Sequence, residues 1–137
     1  MESKEHIEAA FTDIRGEIHN LFEGELGHVA LITSKKGIVR GNHYHKKDLQ
    51  FIYLLSGGYE SHCVDTRDAT KRQVIKVFPG DIVESPPYIA HAQKFTEDSV
   101  FLAFTTRQRE GGKYEEDTIA YQVIEGYLNQ NLKTTDE

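Results

Sequence analysis

The sequence predicts a single all-β domain, a barrel or sandwich of short strands. The chain has 137 residues, enough for one core and too few for two full domains, since a chain near 150 residues buries roughly two thirds of its unfolded surface. From Gly27 to Phe104, runs rich in β-branched and aromatic residues follow one another at short, regular spacing, the pattern of antiparallel strands. Between them stand turn formers rather than helical stretches, which excludes a doubly wound sheet with its crossover helices.

Taken in order, the first stretch is the ambiguous one. Ile7, Phe11, Ile14, Ile18 and Leu21 fall at helical steps of three and four. Gly16 interrupts that pattern and Glu17 to Phe22 tolerates a strand, so residues 1–26 are expected to hold a short N-terminal helix and a first strand. Residues 27–106 form the barrel core. Its strands are expected at His28–Thr33, Gly37–Tyr44, Gln50–Leu55, Tyr59–Asp65, Gln73–Phe78, Asp81–Glu84, Ala92–Phe95 and Val100–Thr105, separated by turns such as Ser56-Gly57-Gly58 and Pro79-Gly80. Residues 107–137 are expected to be a charged loop, Arg107 to Asp117, followed by a C-terminal helix on Ile119, Val123, Tyr127, Leu128 and Leu132.

Composition narrows the function. Twenty-two acidic side chains against 16 basic ones give a formal net charge of −6, which disfavours a nucleic-acid partner, whose phosphates call for a basic face. The single cysteine, Cys63, excludes an intramolecular disulfide framework and a multi-cysteine zinc site, and points to a reducing, cytoplasmic setting. Acidic residues crowd the start where a signal peptide needs a basic then apolar region. No apolar run approaches the roughly 20 residues of a membrane helix, so no membrane partner is expected.

The positive hint is seven histidines. Side chains two apart on a strand share a face, so His43-Tyr44-His45 sends both imidazoles one way. Imidazole nitrogen suits zinc and the first-row transition metals, and a third ligand must come from another strand. His91 is the candidate, since it follows the turn Ser85-Pro86-Pro87-Tyr88. His6, His19, His28 and His62 read as surface or structural residues, and Cys63 as a small core residue.

Gly37, five residues, His43, one, His45, four, Gln50, six, Gly57 resembles the first motif of the cupin superfamily, and Gly80, five, Pro86, four, His91 resembles its second. The resemblance implies a small cupin β-barrel, a jelly roll, whose two motifs lie on facing strands and bind one divalent metal, here zinc, iron, nickel or manganese. Gln50 stands where the pattern has Glu, Tyr88 where it has Gly and Phe95 where it has Asn. A glutamine oxygen is neutral, so His43, His45 and His91 would hold the ion with Gln50 as a weak ligand or a donor behind it, leaving a stronger Lewis acid.

The run Ser34 to His45 is similar to a strand of nucleotide-sugar 3,5-epimerases and 3,4-ketoisomerases, and to the cupin domain of capsule-synthesis reductases. Asp13 to Ile18 looks like the opening strand of that group. The resemblance implies that His43 is the base beside the ketone and that Arg40 holds a phosphate, although the 3,5-epimerase pattern lacks a second histidine like His45. Tyr88, Glu84 and Tyr53 are further candidates for the acid or base, Tyr53 also for substrate contact, and Arg107 with Arg109 for phosphate contact. The expected function is an isomerase or epimerase on a keto sugar, nucleotide-linked, in surface-polysaccharide synthesis. The alternatives are an iron-dependent dioxygenase and a non-catalytic carbohydrate-binding cupin. Exposed aromatic residues on a small barrel suggest a homodimer.

Overall fold

A computed structural model of the protein describes residues 1–108 and 110–125. Its strands are β1 (Ser3–His6), β2 (Phe11–Asp13), β3 (Gly16–Ile18), β4 (His28–Ser34), β5 (Val39–His45), β6 (Gln50–Ser56), β7 (Tyr59–Asp65), β8 (Asp68–Val77), β9 (Asp81–Ser85), β10 (Ile89–Phe95), β11 (Ser99–Thr105) and β12 (Thr118–Ala120). A short helix α1 (Lys113–Asp117) precedes β12. Two five-stranded sheets, β1-β9-β6-β11-β4 and β12-β5-β10-β7-β8, face each other, and β2-β3 forms a separate hairpin.

The eight strands expected between residues 27 and 106 are all present; β4 and β6 alternate more and less buried side chains, while β10 is buried at all but one position. In β6, Gln50, Ile52 and Leu54 point inward while Phe51 and Tyr53 do not. The strand β8 starts five residues earlier than expected. The Asp65 carboxylate accepts the Arg67 amide and guanidinium, each at 2.9 Å, and closes the hairpin in a tight turn.

The N-terminal helix is absent and its residues are strands. The backbone of β1 pairs with β9 from Ser3 opposite Glu84 to His6 opposite Asp81, and Gly16 has a φ of 135°, outside helical space. Phe11, Ile14 and Ile18 are exposed, so their spacing marks no buried helical face. At the other end, the segment read as a loop carries α1, and Ile119 lies in β12 opposite Tyr44. Val123 is in no regular element. Tyr127, Leu128 and Leu132 lie outside the described residues, as does Arg109.

The interior is divided along the strands. Ile52, Leu54, Tyr59, Val77, Val83, Phe95, Phe101 and Ala103 form an apolar plug at one end. At the other end of the same strands the buried side chains are polar: His43, His45, Gln50, Ser85, His91 and Thr105. The plug supplies hydrophobic free energy that offsets the cost of burying these polar groups.

Candidate functional site

His43 and His45 stand two apart on β5 and point into the barrel, and His91 of β10 is the direct cross-strand partner of His43. The three imidazoles are buried, and their ligand atoms all lie within 4.8 Å of one another. Nε2 of His43 and Nε2 of His91 are 3.1 Å apart. An ion held tetrahedrally by nitrogens at about 2.0–2.1 Å needs neighbouring donors roughly 3.3 Å apart, so the donor set fits a first-row divalent metal.

Burial, helped by the nearby His45, pushes His91 down to about 3, which keeps its imidazole neutral and able to offer a lone pair. Behind the cluster, Nδ1 of His45 lies 3.2 Å from Thr118 Oγ1 and 3.8 Å from Asp117 Oδ2. Asp117 is itself fixed. Its carboxylate accepts the backbone amides of Lys46, Lys47 and Asp48 at 2.9–3.1 Å, tying α1 to the end of β5.

α1 also brings Tyr114 over the imidazoles. The ring is 6% exposed, with centroids 5.5 Å from His45 and 6.5 Å from His43. On the opposite flank of the cluster lies Glu2, 4% exposed, which accepts the hydroxyls of Ser61 and Ser85. Its burial raises the carboxyl above its ordinary range against the opposing pull of those hydroxyls. Tyr114, Asp117 and Glu2 all sit in charged or terminal segments whose pattern signals no barrel element.

A bulge stands between Arg40 and this site. The register shifts between His91 and Ala92, with φ of 88° at Gly41 and 56° at Asn42. A Cβ on Gly41 would stand 2.7 Å from the His91 carbonyl oxygen, so glycine alone fits there. Because of the extra residue Arg40 pairs with Gln93, two residues from His91 on the same strand, and so shares the inward face with His43. Nε of Arg40 donates to Ser34 Oγ at 2.7 Å. It borders a cavity of about 550 Å³ that Ser34, Lys35, Ser56, Asp98 and Ser99 also line, at the ends of β4, β6 and β11 away from Gln50 and Thr105.

No protein-family model and no curated protein matches the chain. Solved structures do. A 3,4-ketoisomerase from Helicobacter canadensis has 19% identity and a TM-score of 0.71 over 86% of this chain and 89% of that one. The sugar 3,4-ketoisomerase QdtA from Thermoanaerobacterium thermosaccharolyticum, in complex with TDP, has 22% identity and a TM-score of 0.70 over 88% of each chain. A dTDP-4-dehydrorhamnose 3,5-epimerase from Sulfolobus tokodaii has 23% identity and a TM-score of 0.67 over 83% of this chain and 74% of that one. The fold is the cupin fold.

In this cupin barrel the residues expected at the site divide into two groups. His43, His45 and His91 converge, and Gln50 faces inward from the opposite sheet, beside Ser85 and Thr105 in register. Three others point away. Glu84 pairs with Phe51, and Tyr53 with Ile82, on the outer face, because the inward positions of β9 and β6 are Val83, Ser85, Gln50 and Ile52. Glu84 therefore lies with Lys4 and Phe51 along an outer groove. Tyr88 has a φ of 66° and stacks 6.0 Å from Tyr44, whose side chain leaves β5 opposite to the histidines. Arg107 is half-buried, and its backbone amide donates to Asp48 Oδ1 at 3.2 Å.

Proposed function

We propose that the protein is an isomerase or epimerase acting on a keto sugar carried by a nucleotide, with one divalent metal held by His43, His45 and His91. The observation that carries the reading is the convergence of three buried imidazoles, with the Nε2 atoms of His43 and His91 3.1 Å apart, in a barrel of the shape used by sugar 3,4-ketoisomerases. An ion bound there supplies a Lewis acid for the oxygen on which negative charge develops as the proton beside a ketone departs.

The remaining steps belong to side chains. Tyr114 is the phenol against the imidazoles, placed to carry the proton between substrate oxygen or carbon and solvent. It takes the role that the sequence suggested for Tyr88. His43 keeps its expected place at the reacting centre, as a ligand rather than a free base. Asp117 and Thr118 hold His45 at Nδ1, which turns its Nε2 toward the other two rings. Gln50 lends a neutral polar group from the facing sheet.

Arg40 is assigned to the phosphate of the nucleotide, in a chain whose net charge is −6. We assign the activity to the cytoplasm, a reading supported by the free, buried Cys63, and the working unit to a homodimer. No helix of the described residues is long and apolar enough to cross a membrane.

The experiment is solvent deuterium exchange into a panel of 4-keto nucleotide sugars. Incorporation beside the ketone is expected, and its absence across the panel with metal-loaded protein refutes the isomerase. The neutral three-imidazole donor set favours one second reading, an iron-dependent dioxygenase, which predicts oxygen uptake that requires iron(II).

A further inference from the structure

The barrel interior holds a carboxylate that the isomerase reading leaves unused. Glu2 precedes the edge strand β1, whose own residues are exposed, yet its side chain turns inward and is 4% exposed. It spans the two sheets: Oε1 accepts the hydroxyl of Ser61 on β7, and Oε2 that of Ser85 on β9. Burying a carboxylate is costly unless a partner repays the lost hydration, and two serine hydroxyls with the neighbouring Cys63 thiol do so only in part.

The second contact is with His91. Oε2 of Glu2 lies 4.0 Å from Nδ1 of His91, both side chains 1% exposed. That nitrogen is buried and has no hydrogen-bond partner among the described residues. At 4.0 Å the contact is electrostatic rather than a hydrogen bond, and in a dry interior such a contact is strong. A neutral imidazole has one N–H. Placed on Nε2, it would leave the Nδ1 lone pair facing a carboxylate. Placed on Nδ1, it turns a positive N–H toward the carboxylate and leaves the Nε2 lone pair aimed at His43.

We propose that Glu2 is a positioning residue for His91: its carboxylate, clamped between Ser61 and Ser85, holds the imidazole proton on Nδ1 and so presents the Nε2 lone pair to the centre shared with His43 and His45. Carboxylates behind metal-binding histidines orient their rings and raise their basicity. Glu2 then provides, from the segment before β1 and behind a ligand, negative charge near the centre that Gln50 does not carry. The affinity consequence rests on the metal reading, whereas the proton position does not.

Two measurements decide it. In the metal-free parent, nitrogen-15 spectra of the assigned His91 ring are expected to show protonated Nδ1 and unprotonated Nε2; the opposite tautomer overturns the proposal. In Glu2→Gln, whose amide can turn an N–H toward Nδ1, the His91 tautomer is expected to become mixed or inverted, and zinc affinity by chelator competition to fall by about 10- to 100-fold. An unchanged tautomer together with unchanged zinc affinity in a folded Glu2→Gln also overturns it. A parent that binds no zinc refutes the metal reading instead, and the tautomer then decides the role of Glu2 alone, as it does if Glu2→Gln fails to fold.

Discussion

Nε2 of His43 and Nε2 of His91 face each other across 3.1 Å at the polar end of the barrel. Their Cα atoms are direct cross-strand partners, so the approach is built into the register of β5 and β10 rather than into flexible side chains. Two neutral imidazoles at this distance either share one proton or direct two lone pairs at a common point. With His45 on the same face, the second arrangement gives a three-nitrogen site.

That register makes the first prediction. Protein purified without chelator should carry one divalent ion per chain, and His43→Ala and His91→Ala should each lose most of it by elemental analysis. Each removes a third of the donor set while leaving the backbone ladder in place. Metal content equal to the parent in both variants would refute the site.

Tyr114 supplies the second. Tyr114→Phe keeps the ring against His43 and His45 and removes only the hydroxyl, so it should lower kcat by about 10²- to 10⁴-fold with metal content unchanged. Tyr88→Phe, on the outer face beside Tyr44, should leave kcat within about twofold. The reverse pattern would return the proton to Tyr88.

The two outcomes trace what was legible in the residues. Runs rich in β-branched and aromatic residues between turn formers pointed to the eight core strands, and paired histidine spacing to the three imidazoles, because both are local patterns. Tyr88 was misplaced for the same reason that His91 was placed correctly. Nearness in sequence suggested nearness in space, but a positive φ at Tyr88 turns that side chain outward. Glu2, Tyr114 and Asp117 were missed because each reaches the site by a tertiary route: an edge-strand end, a short helix and a carboxylate caught by the amides of Lys46, Lys47 and Asp48. Helical spacing from Ile7 to Leu21 misled because exposed apolar residues on short strands can fall at any interval.

Cys63 gives a pH prediction. Burial and the neighbouring Glu2 push its thiol up to about 11, from an ordinary value near 9. Between those values the unfolded chain has released the proton that the folded chain retains, so the Cys63 contribution to stability is full below about pH 9 and is lost as pH rises toward 11. At pH 8 the thiol should resist alkylation in native protein and react at once in denaturant. A native rate matching the denatured one would show an accessible, ordinary cysteine.

The last prediction concerns β4. This strand is the edge of its sheet, paired with β11 on one side, and its outward positions carry Val29, 53% exposed, and Leu31, 66% exposed. Two large aliphatic side chains on a sheet edge suit the proposed homodimer, since single-chain proteins blunt such edges with charge. A second copy of the chain is the proposed occupant. Light scattering should therefore give the mass of two chains for the parent and of one for Leu31→Lys, which places a charge in the middle of the apolar stripe without touching the inward-facing core. A parent of single-chain mass would refute the dimer, and a dimeric Leu31→Lys would move the interface away from β4.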